Sequence, residues 1–163
     1  MWAKAACRVK PWDEVTHPEW QARRMEVYAA QVEQLDRGLG LVIDALRETE
    51  AYENTVFVFI ADNGGCAEEP GGRSPKIVPG PKEFYSAVGP SWGWAQNAPF
   101  RRYKSWAHEG GIATPCIAWW PGHVPKGAIT KEVGHIIDFL PTFLELAGAD
   151  YPEKHNGHDI LPV

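Results

Sequence analysis

Thr55-Val56-Phe57-Val58-Phe59-Ile60-Ala61-Asp62-Asn63-Gly64-Gly65 changes character abruptly past its middle. Apolar and β-branched residues run unbroken to Ala61; then come a carboxylate, an amide and two glycines. A continuous run rich in Val, Ile and Phe reads as a strand buried on both faces, and such strands are mostly parallel members of α/β sheets. In those sheets ligands bind beyond the carboxyl ends of the strands, where Asp62 and Asn63 stand. Gly64 and Gly65 permit a sharp turn. An Asp oxygen beside an Asn oxygen suits a hard cation such as Ca²⁺, which takes about six to eight oxygen ligands. The rival reading is an ordinary turn after a strand, since Asp, Asn and Gly all favour turns.

The composition narrows the classes of function. A chain of 163 residues with 44% hydrophobic content is long enough for one domain with a core and is not of the disordered type. A net charge of -5, with no long Lys/Arg cluster, argues against nucleic acid as a partner. No apolar run approaches the roughly 18 residues that span a bilayer, so no membrane partner is expected. The first residues lack the apolar centre of a signal peptide. Cys7, Cys66 and Cys116 are scattered without a C-x-x-C, and imply neither a disulfide framework nor a zinc site. Eight Trp is high for this length. Trp92, Trp94 and Trp106 either wall an aryl or sugar pocket or cover the core.

Upstream of the central run, Thr16 and Glu19 have capping-box spacing and Pro18 suits a first helical turn. Met25, Tyr28, Val32, Leu35, Leu39, Val42 and Leu46 then recur in steps of three or four, which predicts a helix to about residue 49. Gly38 and Gly40 weaken it and imply close packing against another element. Downstream, residues 66–100 are dominated by Gly, Pro and Ser and read as a long loop, of a length that is most often functional or disordered. Ile112 to Trp120 reads as a second buried strand ending at Pro121-Gly122. Asp138 is placed to cap a short helix through Leu140, Phe143, Leu144 and Ala147, closed by Gly148. The tail from Ala149 shows no period.

Two local features call for one explanation: Asp62-Asn63 after one strand, and Lys104 with His108-Glu109-Gly110-Gly111 just before another. A dication and an ammonium at one rim would form a site for a tetrahedral anion. A zinc-protease reading of His108-Glu109 fails, because H-E-x-x-H requires His where Ile112 stands.

The blocks "FIADNGG", "PFRRYKSWAHEGGIATPCIAWWPG", "MEVYAAQVEQLDRGLGLVID" and "IIDFLPTFLELAGA" resemble, in order and spacing, sulfatases of the arylsulfatase type, in the alkaline phosphatase superfamily. The resemblance implies an α/β fold, mainly a parallel sheet flanked by helices. It further implies that residues 1–163 are a single partial catalytic domain. The N-terminal half with the nucleophile and the C-terminal subdomain would lie outside it. It implies hydrolysis of small-molecule or carbohydrate sulfate esters at a Ca²⁺ site, with Asp62 and Asn63 matching metal ligands. Lys104 matches the lysine that contacts sulfate, and His108 falls where a wall or substrate-contact residue is expected. The family nucleophile is a formylglycine made in a C/S-x-P-x-R motif. That motif does not occur here, and Ser74-Pro75 lacks its arginine. The chain alone is therefore expected to be inactive and to bind Ca²⁺ weakly or not at all. Open sheet edges would favour self-association. Such enzymes are often periplasmic, secreted or lysosomal. The alternatives are a phosphodiesterase or phosphonate hydrolase of the same superfamily, and a non-catalytic remnant or interaction module.

Overall fold

The computed structural model describes residues 9–69 and 74–161. The chain divides into two compact units, one ending at Val124 and one beginning at Pro125.

The first unit opens with helix α1, Pro18–Glu48, of 31 residues and roughly 46 Å at about 1.5 Å per residue. Pro18 takes the first helical position, as its fixed φ favours. The expected capping box does not form. His17 is the N-cap, in left-handed conformation at φ 56°, with no side-chain cap. At the far end the Ala51 N–H donates to the Leu46 carbonyl (2.9 Å) and the Glu50 N–H to that of Arg47 (3.1 Å). This is a Schellman ending, with Glu50 at φ 58° where glycine is the usual residue.

The apolar stripe of α1 finds little cover: Val32, Leu35 and Val42 are about half exposed, and Leu41 is 73% exposed. Nor do Gly38 and Gly40 pack closely, since a Cβ at either would meet open space. What α1 does anchor is the long segment after the central strand. Arg24, only 3% exposed, pairs with Glu69 at 2.9 Å, donates from Nε to the Ala87 carbonyl, and lies 4.5 Å from the centre of the Trp20 ring. Trp20 Nε1 donates to the Ile77 carbonyl (2.7 Å), and Trp92 Nε1 to that of Gln21 (2.9 Å). Trp92 thus fastens the segment to α1. That segment also holds a helix the sequence reading missed, α2, Gly89–Gln96. Two tryptophans among Gly, Pro and Ser give no helical period, and tertiary contacts fix it instead.

Strand β1, Phe57–Ile60, is half-buried along its length. After a four-residue helix α3, Glu109–Ile112, comes β2, Cys116–Trp119, exposed at three of its four residues. The two pair with each other, and antiparallel, with Phe57 opposite Trp119 and Ile60 opposite Cys116. An unbroken apolar run carries no information on direction, so the parallel expectation fails for this pair while the α/β class stands. β2 is also shorter than the Ile112–Trp120 run, whose start is taken by α3. The antiparallel sense matters for everything that follows. Asp62 lies beyond the end of β1 and Gly111 before the start of β2. Parallel strands would put those positions at opposite ends of the sheet; antiparallel strands put them at one rim.

In the second unit, helix α4, Phe139–Ala147, ends in the same Schellman pattern as α1, here with Gly148 at φ 61°. Asp138 stands at the N-cap of α4, but its side chain makes no cap bond there. Its carboxylate instead accepts from the His135 N–H (2.7 Å), one step earlier, around a short 3₁₀ turn. Beyond it Lys154–His155 (β3) and His158–Asp159 (β4) form a small hairpin around Asn156-Gly157, both at positive φ. Asn-Gly is the strongest short hairpin signal, and it stood in a tail read as patternless.

Candidate active site at the rim of the sheet

The Asp62–Gly65 segment and the Phe100–Gly111 segment are joined main chain to main chain. The Gly64 N–H donates to the Gly111 carbonyl (3.1 Å) and the Lys104 N–H to the Gly65 carbonyl (3.1 Å). The second segment is itself closed by Gly110 N–H to Arg101 carbonyl (2.9 Å) and Gly111 N–H to His108 carbonyl (2.7 Å). From the other side, Gly65 N–H donates to Asn97 Oδ1 (2.9 Å), and Asn97 Nδ2 to the Gly93 carbonyl (2.6 Å), tying the rim to α2.

Glycine is needed here for proximity. A Cβ on Gly64 would sit 1.8 Å from the Gly110 oxygen, one on Gly110 2.1 Å from the Arg102 oxygen, and one on Gly111 2.0 Å from the Trp106 oxygen. Gly64 and Gly65 are not among the glycines at positive φ, so the expected sharp turn is not their reason. Strain lies elsewhere. Arg102 (φ 71°) and Ser105 (φ 76°) both adopt the left-handed region and bracket buried Tyr103 and Lys104. Non-glycine residues held this way cost of order 1–2 kcal/mol each and persist only where surroundings over-determine them.

Four expected site residues therefore fall on the two joined segments. Asp62 is exposed and Asn63 half-buried. Lys104 extends its ammonium to Glu68 Oε2 at 3.4 Å, with its side chain 36% exposed. His108 is exposed, its ring stacked on Trp106 at 6.3 Å and 26°. The Arg102 guanidinium lies 4.3 Å from the centre of the Trp106 ring and 5.8 Å from that of Trp94, whose edge meets Tyr103. Trp94 and Trp106 thus belong to this rim and Trp92 to the α1 contact. Glu68, Asn97 and Tyr103 were missed. Each acts through a contact distant in sequence, and no local spacing announces that. A cleft lined by His17, Pro18, Glu19, Trp20 and Pro75 contains none of the expected site residues. Away from the rim, Arg47 is held above its ordinary pKa, chiefly by a hydrogen bond with Tyr52, whose ring it also covers.

Asp62 and Asn63 offer oxygen donors of the kind a hard cation takes. Two residues do not make a Ca²⁺ site, however, and among the described residues no group of three or more His, Cys, Asp or Glu could hold a metal. The donor set present does not by itself fit the ion.

The main chain thus brings a strand-end carboxylate, an amide and a lysine onto two joined segments of an α/β chain. The family model for Sulfatase matches residues 4–149, and the chain belongs to the sulfatase family. It is 38% identical over 171 residues to an uncharacterized sulfatase of Schizosaccharomyces pombe, covering 93% of this chain and 30% of that protein. Pig N-acetylgalactosamine-6-sulfatase (Sus scrofa) is 33% identical over 138 residues, 83% of this chain and 23% of its own. An arylsulfatase of Klebsiella aerogenes is 31% identical over 171 residues, 94% of this chain and 36% of its own. The solved structure of Ps i-CgsB in complex with k-i-k-neocarrahexaose superposes with a TM-score of 0.61 at 30% identity, over 88% of this chain and 28% of that one. The architecture is thus part of the alkaline-phosphatase-like sulfatase fold. The chain spans roughly a quarter to a third of the length of these curated relatives. No described helix is long and apolar enough to cross a membrane.

Proposed function

We propose that this chain carries the later part of a sulfatase's sulfate-ester site, and that the whole enzyme hydrolyses the sulfate esters of small molecules or carbohydrates. The observation that carries the reading is the main-chain join between Asp62–Gly65 and Lys104–Gly111. Lys104 is the sulfate contact. Its ammonium attracts the ester oxygens and fixes their orientation as charge shifts onto the leaving group. The tie to Gly65 sets where the lysine starts, so the ammonium is carried on a fixed base. His108, stacked on Trp106, walls the site against the organic part of the ester. Asp62 and Asn63 would supply two oxygen donors toward Ca²⁺, which do not by themselves make its shell. When bound, such an ion supplies positive charge to the sulfate oxygens.

The nucleophile of this reading is a formylglycine, and no C/S-x-P-x-R precursor occurs in the sequence. The chain alone is therefore expected to leave an aryl sulfate intact while still binding it weakly. Titration with 4-nitrophenyl sulfate should shift the backbone amides of Gly64, Gly65, Lys104 and Gly111, and Lys104→Ala should remove the effect. Turnover by the purified chain, or shifts confined to residues away from this rim, would overturn the reading. Relatives whose printed names include N-acetylgalactosamine-6-sulfatase, and a neighbour solved with k-i-k-neocarrahexaose, support a carbohydrate ester over an unrelated anion.

A further inference from the structure

The Lys104 ammonium already has an anionic neighbour. Glu68 Oε2 lies 3.4 Å from it, and the same oxygen faces Cys66 Sγ at 3.7 Å. The pairing is built into the backbone. Lys104 N–H is bonded to the Gly65 carbonyl, and Glu68 follows three residues later on the same irregular segment. Both side chains reach solvent, at 36% and 61% exposure, so the pair is of the weak, displaceable kind. An ester that takes Lys104 must compete with Glu68 and then remain beside the displaced carboxylate.

We propose that Glu68 is a specificity-determining residue that sorts esters by charge, admitting a monoanion and penalising a dianion. The proposal rests on the reading of Lys104 as the sulfate contact. A sulfate ester carries one negative charge. A phosphate monoester carries nearly two well above its second pKa of about 6. One unit charge about 4 Å from another is worth about fivefold in an equilibrium where water sets the dielectric. Glu68 thus costs a monoanion about fivefold and a dianion about 25-fold. The difference, about fivefold, is the selectivity that Glu68 supplies. Charge, rather than sulfur against phosphorus, is what it reads. A phosphate diester, also a monoanion, should pass as a sulfate ester does.

The test titrates the unaltered chain, Glu68→Gln and Lys104→Gln at pH 8 in metal-free buffer, following backbone amide shifts. The probes are 4-nitrophenyl sulfate, methyl 4-nitrophenyl phosphate and 4-nitrophenyl phosphate. Glu68→Gln should tighten the two monoanions by a common factor of about five and the dianion by about five times more than that. A role for Glu68 in merely holding the loop would move all three probes together. That result overturns the proposal and leaves Lys104 standing. If Lys104→Gln binds 4-nitrophenyl sulfate as the unaltered chain does, or if the unaltered chain binds none of the three, the lysine reading fails and the sorting role falls with it.

Discussion

Gly64→Ala tests the main-chain join on which the site depends. The added Cβ would lie 1.8 Å from the Gly110 oxygen and 2.8 Å from its carbonyl carbon, whereas real Cβ contacts essentially never fall under 3.0 Å. Both sides of the clash are backbone, so no side chain can rotate away. The two segments must part by at least about 1.2 Å, the difference between 3.0 and 1.8 Å. That motion breaks the Gly64 bond to Gly111 and pulls on the Lys104 bond to Gly65. Overpacking costs about 1–3 kcal/mol and the lost hydrogen bond about 1 kcal/mol, giving about 2–4 kcal/mol in total. The matched control is Gly38→Ala, where the Cβ meets nothing within 4 Å and helix propensity alone should stabilise by about 1 kcal/mol. Urea unfolding followed by tryptophan fluorescence reads both, and the two variants should move the midpoint in opposite directions. A Gly64→Ala midpoint within experimental error of the unaltered chain would refute the reasoning, because the join would then tolerate a side chain that its geometry forbids.

Arg24→Leu should destabilise the first unit by about 3–5 kcal/mol, since it strips the Arg24 partner from a Glu69 side chain only 9% exposed; an unchanged thermal midpoint counts against this. Glu50→Gly should stabilise by about 1 kcal/mol, because glycine carries no Cβ into the left-handed ending of α1, and calorimetry showing a lower melting temperature would contradict it. Exposed Ile117 (57%), Ile112 (62%) and Leu41 (73%) should drive self-association at high concentration, so a monodisperse monomer by light scattering, with no dye binding to apolar surface, sinks the idea. Calorimetry should find Ca²⁺ binding weak, and micromolar affinity lost in Asn63→Ala would show that the two donors need no others.

The pieces of this fold that were legible are those written in local pattern. The 3.6-residue recurrence from Met25 to Leu46 placed α1 to within a residue or two of its end, and the apolar run into Asp62 placed β1. Several misreadings concerned a partner distant in sequence, whereas the Asn156-Gly157 hairpin carried a local signal that was passed over. Strand direction depends on where the neighbour's chain comes from, and nothing in Val-Phe-Val-Phe-Ile encodes it. α2 is fixed by the Trp92 contact with Gln21 and by Asn97 at the rim, not by its own propensity. Gly64 was explained by backbone freedom when its reason is the carbonyl of a residue 46 positions later. Lys104 and His108 were singled out by their place before the second strand and given roles only by family resemblance. Glu68 was invisible because a carboxylate in a polar segment has no period and no motif.

The join at the rim is made from peptide groups and from glycines that have no side chain to contribute. Asp62, Asn63, Lys104 and His108 project from it, but none of their side chains makes these bonds. A scaffold of this kind separates what holds the loops from the side chains that project from them. On the reading proposed for this site, exchanging His108 for another ring, or Glu68 for a neutral residue, would alter which ester is accepted while every main-chain bond stays available. Changing Gly64, Gly110 or Gly111 disturbs the clasp before any chemistry is touched. Variation among proteins built this way should therefore concentrate in the projecting side chains, and new substrate preferences can arise by single replacements without a folding penalty.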